Sequence, residues 1–396
     1  MQLIRQVQFK FSELLEKITF LSKNFYNVAI YTIRQRFFKD HHWIRYNELW
    51  NMLKSHDAYQ KLQITCGSHP PQQVLTQVDA NFKSFFTTIT DWKENPAKYK
   101  GRPKLPHYKC KNGRNSVYFT SLQCRLQNGF VLLTEKMQKR GFPKIKTDLT
   151  CVKGVRIVPF GDRFNVELVY DYKPHDLHLN DKNALGIDLG LNNIVTASDT
   201  MGNIPLIIKG GVLKSINQFY NKQLSKFKSM AKKCNKMEMT NRIKKLHRKR
   251  NNKIRDFFHK TSSKVVNHCI SNNIGLIIIG YNEGWKQEIH IGKKNNQNFV
   301  LVPFLKLVRQ IEYKSEMVGI KVIRTSEEYT SQKCSCCGVV RKSNRKYRGL
   351  YVCKDCGMVL NADVNAAINI LEKEFPKSKW IGDRGCLNRP LVLEIS

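Results

Sequence analysis

The spacing of apolar residues changes twice along this chain, and each change marks a different kind of structure. Over roughly the first hundred residues the spacing is helical. After a strand-like opening, LIRQVQF, the residues Leu14, Ile18, Leu21, Phe25, Val28 and Ile33 recur at helical intervals, with Ser12 placed as an N-cap. YNELWNMLKSH reads as more helix. Another helix is expected to begin after the Pro70–Pro71 pair, proline being favoured at helix starts, and to set Val74, Val78, Phe82 and Phe85 on one face. A helical subdomain over residues 12–99 is expected.

The segment NPAKYKGRPKLPHYKCKNG then breaks the periodicity with Pro, Gly and many cations, and reads as a basic surface crossing. From 116 to 173 the pattern turns to strands: SVYFTS, GFVLLTE, and a hairpin closed through Gly161–Asp162. This predicts a small barrel or sandwich, completed by the N-terminal strand, with the helical part inserted. The polar KPHDLHLNDKNA leads into a third region of alternating strands and helices, expected to be α/β.

Composition narrows the partners. The 396 residues suffice for two or three domains. Against 31 Asp+Glu stand 68 Lys+Arg, a net charge of +37, which calls for a polyanion. The opening MQLIRQVQFKFSELLEKI lacks the continuous apolar core of a signal peptide, and no run approaches the ~18 apolar residues of a membrane helix. A soluble, cytoplasmic, nucleoid-associated protein of a prokaryote is expected. Its twelve cysteines then read as thiols or metal ligands.

Two acids stand out. ALGIDLGLNNIVTASD places Asp188 inside a buried strand, where a carboxylate is costly unless something positive meets it; capping a turn is the plainer alternative. LNADVNAAINILEKE opens an amphipathic helix with Asp363 near its start, where an N-cap or dipole role would also suit it. Paired carboxylates at strand and helix ends also suit two Mg²⁺ ions ~4 Å apart in phosphodiester cleavage. Just before that helix, Cys334 and Cys337 form one CxxC and Cys353 and Cys356 another, with fifteen residues between. Each pair is followed by Gly, the pattern of a structural four-thiolate zinc site. Cys336 falls between ligands and should point away.

Taken in order, GIDLGLNNIVTASD, YTSQKCSCCG, YVCKDCG and NADVNAAINIL resemble the TnpB family of RNA-guided nucleases of insertion-sequence transposons, related to type V CRISPR effectors and Fanzor proteins. GRPKLPHYK and GCLNRPLV resemble it too. The likeness implies a multidomain α+β chain. Its parts would be a β-barrel wedge over 1–11 and 100–178, a helical recognition subdomain over 12–99, an RNase H-like (RuvC) α/β nuclease domain over 179–330 and 360–396, and a zinc-ribbon insert over 331–359. It implies RNA-guided, Mg²⁺-dependent DNA cleavage, with Asp363 rather than Asn361 as the catalytic match. The partners implied are a guide RNA from the transposon end and double-stranded target DNA with a short adjacent motif. No membrane partner is expected, and the chain is read as a monomer, a dimer being the alternative.

Within the nuclease region, residues 214–264 hold seventeen Lys or Arg against two acids, an excess of fifteen. Exposed helices usually mix signs, so this stretch is read as a phosphate-facing surface. Lys244, Lys245, Arg248, Lys249 and Arg255 are expected on exposed faces above an apolar stripe of Ile243, Leu246, Ile254 and Phe257. Gln73, Gln77 and Asn81, one turn apart, could present amides to adenine edges, although an ordinary wet helix face is the simpler account.

One element is missing. The β-branched strand before YNEGW ends in Gly280, where a nuclease sheet of this kind often carries a glutamate. Adjacent strands lie ~4.8 Å apart, so an acid just past the end of the neighbouring GIKVIR strand could fill the vacancy. TSEEYTS supplies Glu327, with Glu328 as its neighbour and Glu283 as the local rival. Glu327 is expected to complete a triad with Asp188 and Asp363. Two other readings stay open: a nuclease-dead RNA-guided DNA-binding protein, and a transposase acting directly on transposon ends.

Overall fold

The computed structural model describes residues 1–234, 239–282, 301–347, 349–375 and 389–395, in two units, Met1–Tyr172 and Lys173–Ser396. The first unit opens with β1 (Gln2–Phe9) and continues through α1 (Glu13–Asp40), α2 (Tyr46–Leu53), α3 (Asp57–Cys66) and α4 (His69–Glu94). After β2 (Val117–Thr120), β3 (Arg125–Gln127), β4 (Phe130–Leu132), the short α5 (Glu135–Lys139) and β5 (Ile145–Lys146), the hairpin β6 (Gly154–Phe160) and β7 (Arg163–Asp171) closes it. The antiparallel sheet runs β1-β7-β6-β2, so the N-terminal strand does join the later hairpin; β3, β4 and β5 form a separate sheet.

Helix α1 buries Leu15, Ile18, Phe25, Ala29, Ile30 and Ile33. Of the expected stripe Ile18, Phe25 and Ile33 are buried, whereas Leu14, Leu21 and Val28 are half-buried, because the covered face lies about one position further along the helix. Ser12 occupies its N-cap position in extended conformation, but its side chain makes no capping bond. The prolines of α4 fall in its first turn, and Phe85 is only half-buried. The basic crossing is laid along α1. Asn27 exchanges two hydrogen bonds with the Lys109 backbone (2.9 and 2.8 Å), Lys23 Nζ donates to Lys111 O (2.7 Å), and Ser22 Oγ donates to Ser116 O (2.8 Å). Arg34 donates to Pro106 O. Successive turns of α1 thus hold the segment as a strap.

In the second unit β8 (Ala184–Asp188), β9 (Asn193–Asp199) and β10 (Leu206–Lys209) lead into the long helices α6 (Gly211–Cys234) and α7 (Asn241–Ser271). Next come β11 (Leu276–Gly280), α8 (Phe304–Glu316) and β12 (Lys321–Thr325). A three-stranded knuckle, β13 (Arg345–Tyr347), β14 (Leu350–Val352) and β15 (Val359–Leu360), precedes α9 (Ala362–Glu374) and β16 (Leu391–Leu393). The main sheet runs β12-β11-β8-β9-β10-β16. β11 is parallel to both β8 and β12, as the sequence predicted for Ile274–Ile279 and GIKVIR.

Alternation along β11 explains how the sheet is covered on both faces. Ile277 and Ile279 pack in a core with Phe257, Phe258, Leu307 and Ile311 of α7 and α8. Leu276 and Ile278 pack with Ile370 and Leu371 of α9. The approach of α9 is so close that a Cβ on Gly186 would lie 2.5 Å from Ala367 O, so a side chain there is barred. The segment after Tyr172, expected to belong to the wedge up to 178, hydrogen-bonds within the second unit, His175 N to Met317 O (2.9 Å) and Leu177 N to Val318 O (3.2 Å).

Candidate active site

Three chain ends converge at one edge of the second unit. Asp188 closes β8, Gly280 closes β11 opposite Thr325 at the end of β12, and α9 points its N-terminus at the same region. Carboxyl ends of parallel strands gather chemistry because the backbone diverges there and leaves a crevice.

Asp363 is not the helix cap. Asn361 performs that task, its Oδ1 accepting from Asp363 N (3.0 Å) and Val364 N (3.2 Å). The Asp363 carboxylate is thereby released from its own helix. Its Oδ2 accepts from Asn193 Nδ2 (2.8 Å) and its Oδ1 from Arg345 Nη2 (2.8 Å). Sequence reasoning missed both partners. Arg345 lies between the two CxxC pairs with no periodic signal, and Asn193 looked like an ordinary hairpin residue.

Glu327 lies over Gly280. A Cβ on that glycine would sit 2.8 Å from Glu327 Cγ, 3.2 Å from its Oε1 and 2.5 Å from Ile370 Cδ1, so the absent side chain is the room the glutamate uses. Glu327 Oε1 is buried with no hydrogen-bond partner. Glu328 is exposed, and Glu283 lies outside the described residues.

The acids feel one another. Burial, then the charge of Asp363, pushes Asp188 up to about 7, with Arg345 pulling the other way. Burial, then the charge of Asp188, pushes Glu327 up to about 8, against Lys373. Burial is the larger cause in both cases and the like charges add to it, so ionising these acids is costly unless a cation joins them. Among the described residues, though, the four thiols are the one metal-ligating group whose donor atoms all gather within 4.8 Å; the three carboxylates do not close that far.

Those thiols are Cys334, Cys337, Cys353 and Cys356, with Sγ–Sγ separations of 3.7 Å (Cys334–Cys356) and 3.6 Å (Cys337–Cys353). A tetrahedral ion with ~2.3 Å metal–sulfur bonds needs sulfurs ~3.8 Å apart, so the set fits one. Burial pushes the Cys334 thiol up, whereas at Cys353 burial is outweighed by backbone N–H groups of Cys356 and Asp355, and the thiol falls to about 7. Cys336 is exposed and outside the set.

The chain matches two family models. One, OrfB_IS605, described as "Probable transposase", covers residues 167–286, and the Cas12f1-like TNB domain covers 304–370. The second match contains Glu327, all four cysteines and Asp363. The chain is similar to proteins named TnpB-like and Cas12f. Over 219 residues it is 30% identical to a CRISPR-associated endodeoxyribonuclease Cas12f1 of Sulfoacidibacillus thermotolerans, covering 53% of this chain and 50% of that protein. A TnpB-like protein of Acanthamoeba polyphaga mimivirus is 26% identical across 48% of this chain and 37% of its own. An Escherichia coli chain provisionally named RNA-guided DNA endonuclease InsQ is 23% identical across 77% of this chain and 74% of its own. The chain thus spans half or less of the first two relatives' lengths.

The basic surface of this chain needs one correction. Lys245, Lys249 and Arg255 are exposed and Lys244 half-buried, but Arg248 is only 8% exposed. Only one covered face was reckoned for α7, whereas it packs against both α6 and α8. In the first unit Gln73 and Gln77 are half-buried and line an open cavity of about 270 Å³ with Tyr118 and Arg156. Gln77 Oε1 accepts from Asn115 and Asn81 donates to Tyr26 OH, so neither amide is simply offered outward.

Proposed function

We propose that the chain is an RNA-guided DNA endonuclease that hydrolyses phosphodiesters of guide-matched DNA with Mg²⁺. One observation supports this reading: a Glu327 carboxylate oxygen is buried without a hydrogen-bond partner beside Asp188, whose ionisation is in turn opposed by Asp363. Asp188, Glu327 and Asp363 would hold two Mg²⁺ ions. When bound, Mg²⁺ supplies an activated water and stabilises charge on the attacking and leaving oxygens. Asn193 orients Asp363, and Arg345 is placed to meet a phosphate beside it. The fold reading that accompanies this is a RuvC-like domain over 179–330 and 360–396 with a zinc ribbon over 331–359, held by the four cysteines. The barrel over 1–11 and 100–178 and the helices over 12–99 would grip guide RNA and target.

With copurified guide RNA and Mg²⁺, Asp188→Ala, Glu327→Ala and Asp363→Ala should each abolish cleavage of guide-matched DNA and keep target binding. Wild-type protein that binds but never cuts would favour the nuclease-dead reading. The basic surface has its own test. Removing one phosphate-contacting cation should lower the salt slope of binding by about one. Arg255→Ala and Lys249→Ala should do so; an unchanged slope in both removes α7 from the interface.

A further inference from the structure

Glu327 lies beyond the end of its strand, so the sheet ladder no longer positions it. Its own N–H donates to Asn282 Oδ1 (3.1 Å), just past β11, and the rest of its segment is fastened to α9. Lys373 Nζ donates to Ser326 O (2.7 Å) and to Glu328 O (3.0 Å), the carbonyls on either side of Glu327. One turn earlier, Asn369 is 1% exposed, and its Nδ2 donates to Thr330 O (2.8 Å) and Lys333 O (2.7 Å). Thr330 closes the loop, its Oγ1 donating to Glu327 O (2.9 Å). Burying an amide is costly unless its hydrogen bonds are made, and Asn369 uses both N–H groups on this one segment. The same helix bears Asp363.

We propose that Asn369 and Lys373 are positioning residues that hold the Glu327 carboxylate against Asp188, with α9 as the frame shared by Glu327 and Asp363. The proposal rests on the nuclease reading and extends it to residues outside the acid cluster. It explains how an acid on a loop can be held as firmly as one on a strand. Removing a partner behind a metal ligand typically costs 10–100-fold in metal affinity.

The test uses the full chain without DNA and Mn²⁺ as the probe, bound ion being counted by electron paramagnetic resonance. Lys373 is exposed, so Lys373→Met leaves the core intact. It should weaken Mn²⁺ binding about tenfold or more, and Lys373→Arg, which can still donate to two carbonyls, should recover most of the loss. Deleting a nearby positive charge would by itself tighten a cation, so weakening reports position rather than charge. Asn369→Leu should weaken binding similarly. In a Glu327→Ala background Lys373→Met should add nothing. An equal further loss there, or unchanged Mn²⁺ affinity in Lys373→Met, overturns the proposal. If Asp188→Ala leaves wild-type Mn²⁺ binding untouched, the nuclease reading itself fails, which is a separate result.

Discussion

Asp188 and Glu327 share one crevice but are held by opposite means. Asp188 is the last residue of β8, an interior strand with ladder partners on both sides, and it faces Thr196 across the β8–β9 register. Glu327 lies two residues past β12, the outermost strand of the sheet, and is held by side chains of Asn282 and of α9. The difference teaches how a buried carboxylate can be held in place. A carboxylate need not stay on a strand, provided another element replaces the lost ladder bonds and the vacated site stays empty. Gly280 is that empty site.

The largest effect should come from moving the acid back. Glu327→Ala should abolish cleavage, and adding Gly280→Glu with Ile370→Val should restore part of it. The valine removes the methyl that a Gly280 side chain would strike. No recovery, with the protein folded, would mean the two positions do not reach the same space. Gly280→Ala alone should displace Glu327, and a misplacement of ~1 Å can cost on the order of a hundredfold in rate.

Next in size is stability. Asp188 and Glu327 titrate higher in the folded chain than in the unfolded one, so the fold binds extra protons at intermediate pH. Stability from these groups is full below the ordinary carboxylate range and is lost as pH rises through about 7 and 8. In chelator, Asp188→Asn should therefore match wild type near pH 4 and exceed it by on the order of a few kcal/mol near pH 8. Thermal melts across that range decide it. A gap that narrows with rising pH would contradict the shared charge.

The smallest effect separates the two anchors. Ser335 N donates to Asn365 Oδ1 (3.0 Å), which ties the first cysteine pair to α9 beside the Glu327 segment. Cys353→Ser should release the bound metal and speed amide exchange at Thr330 severalfold, while β8 amides near Asp188 stay protected. Cys336→Ser should keep the metal. Equal metal loss in both variants would refute the ligand set.

Much of this was legible before any coordinates. The CxxC spacing is local, and thiol chemistry leaves few alternatives. Strand and helix periods put Asp188 in a buried strand and Asp363 near a helix start, and the parallel pairing of β11 and β12 was implied by the RNase H-like resemblance. Glu327 was reached only by asking what filled the space at Gly280. Arg345 and Asn193 were not reachable, because each meets Asp363 across a distance in sequence that no period records. Arg248 failed for a related reason, since a helix packed on two neighbours has no single buried stripe. At Gln77 and Asn81 the sequence could not show that long-range partners already engage one atom of each amide.

The strap along α1 has a consequence of its own. A flexible run of lysines and arginines must surrender about 1–2 kcal/mol of backbone freedom per residue when an acidic polymer orders it. Here the segment around 106–116 is already held at several successive turns of a helix. Folding has done that ordering in advance. Whatever anion settles on this row meets cations whose spacing was set by the pitch of α1 rather than by the ligand.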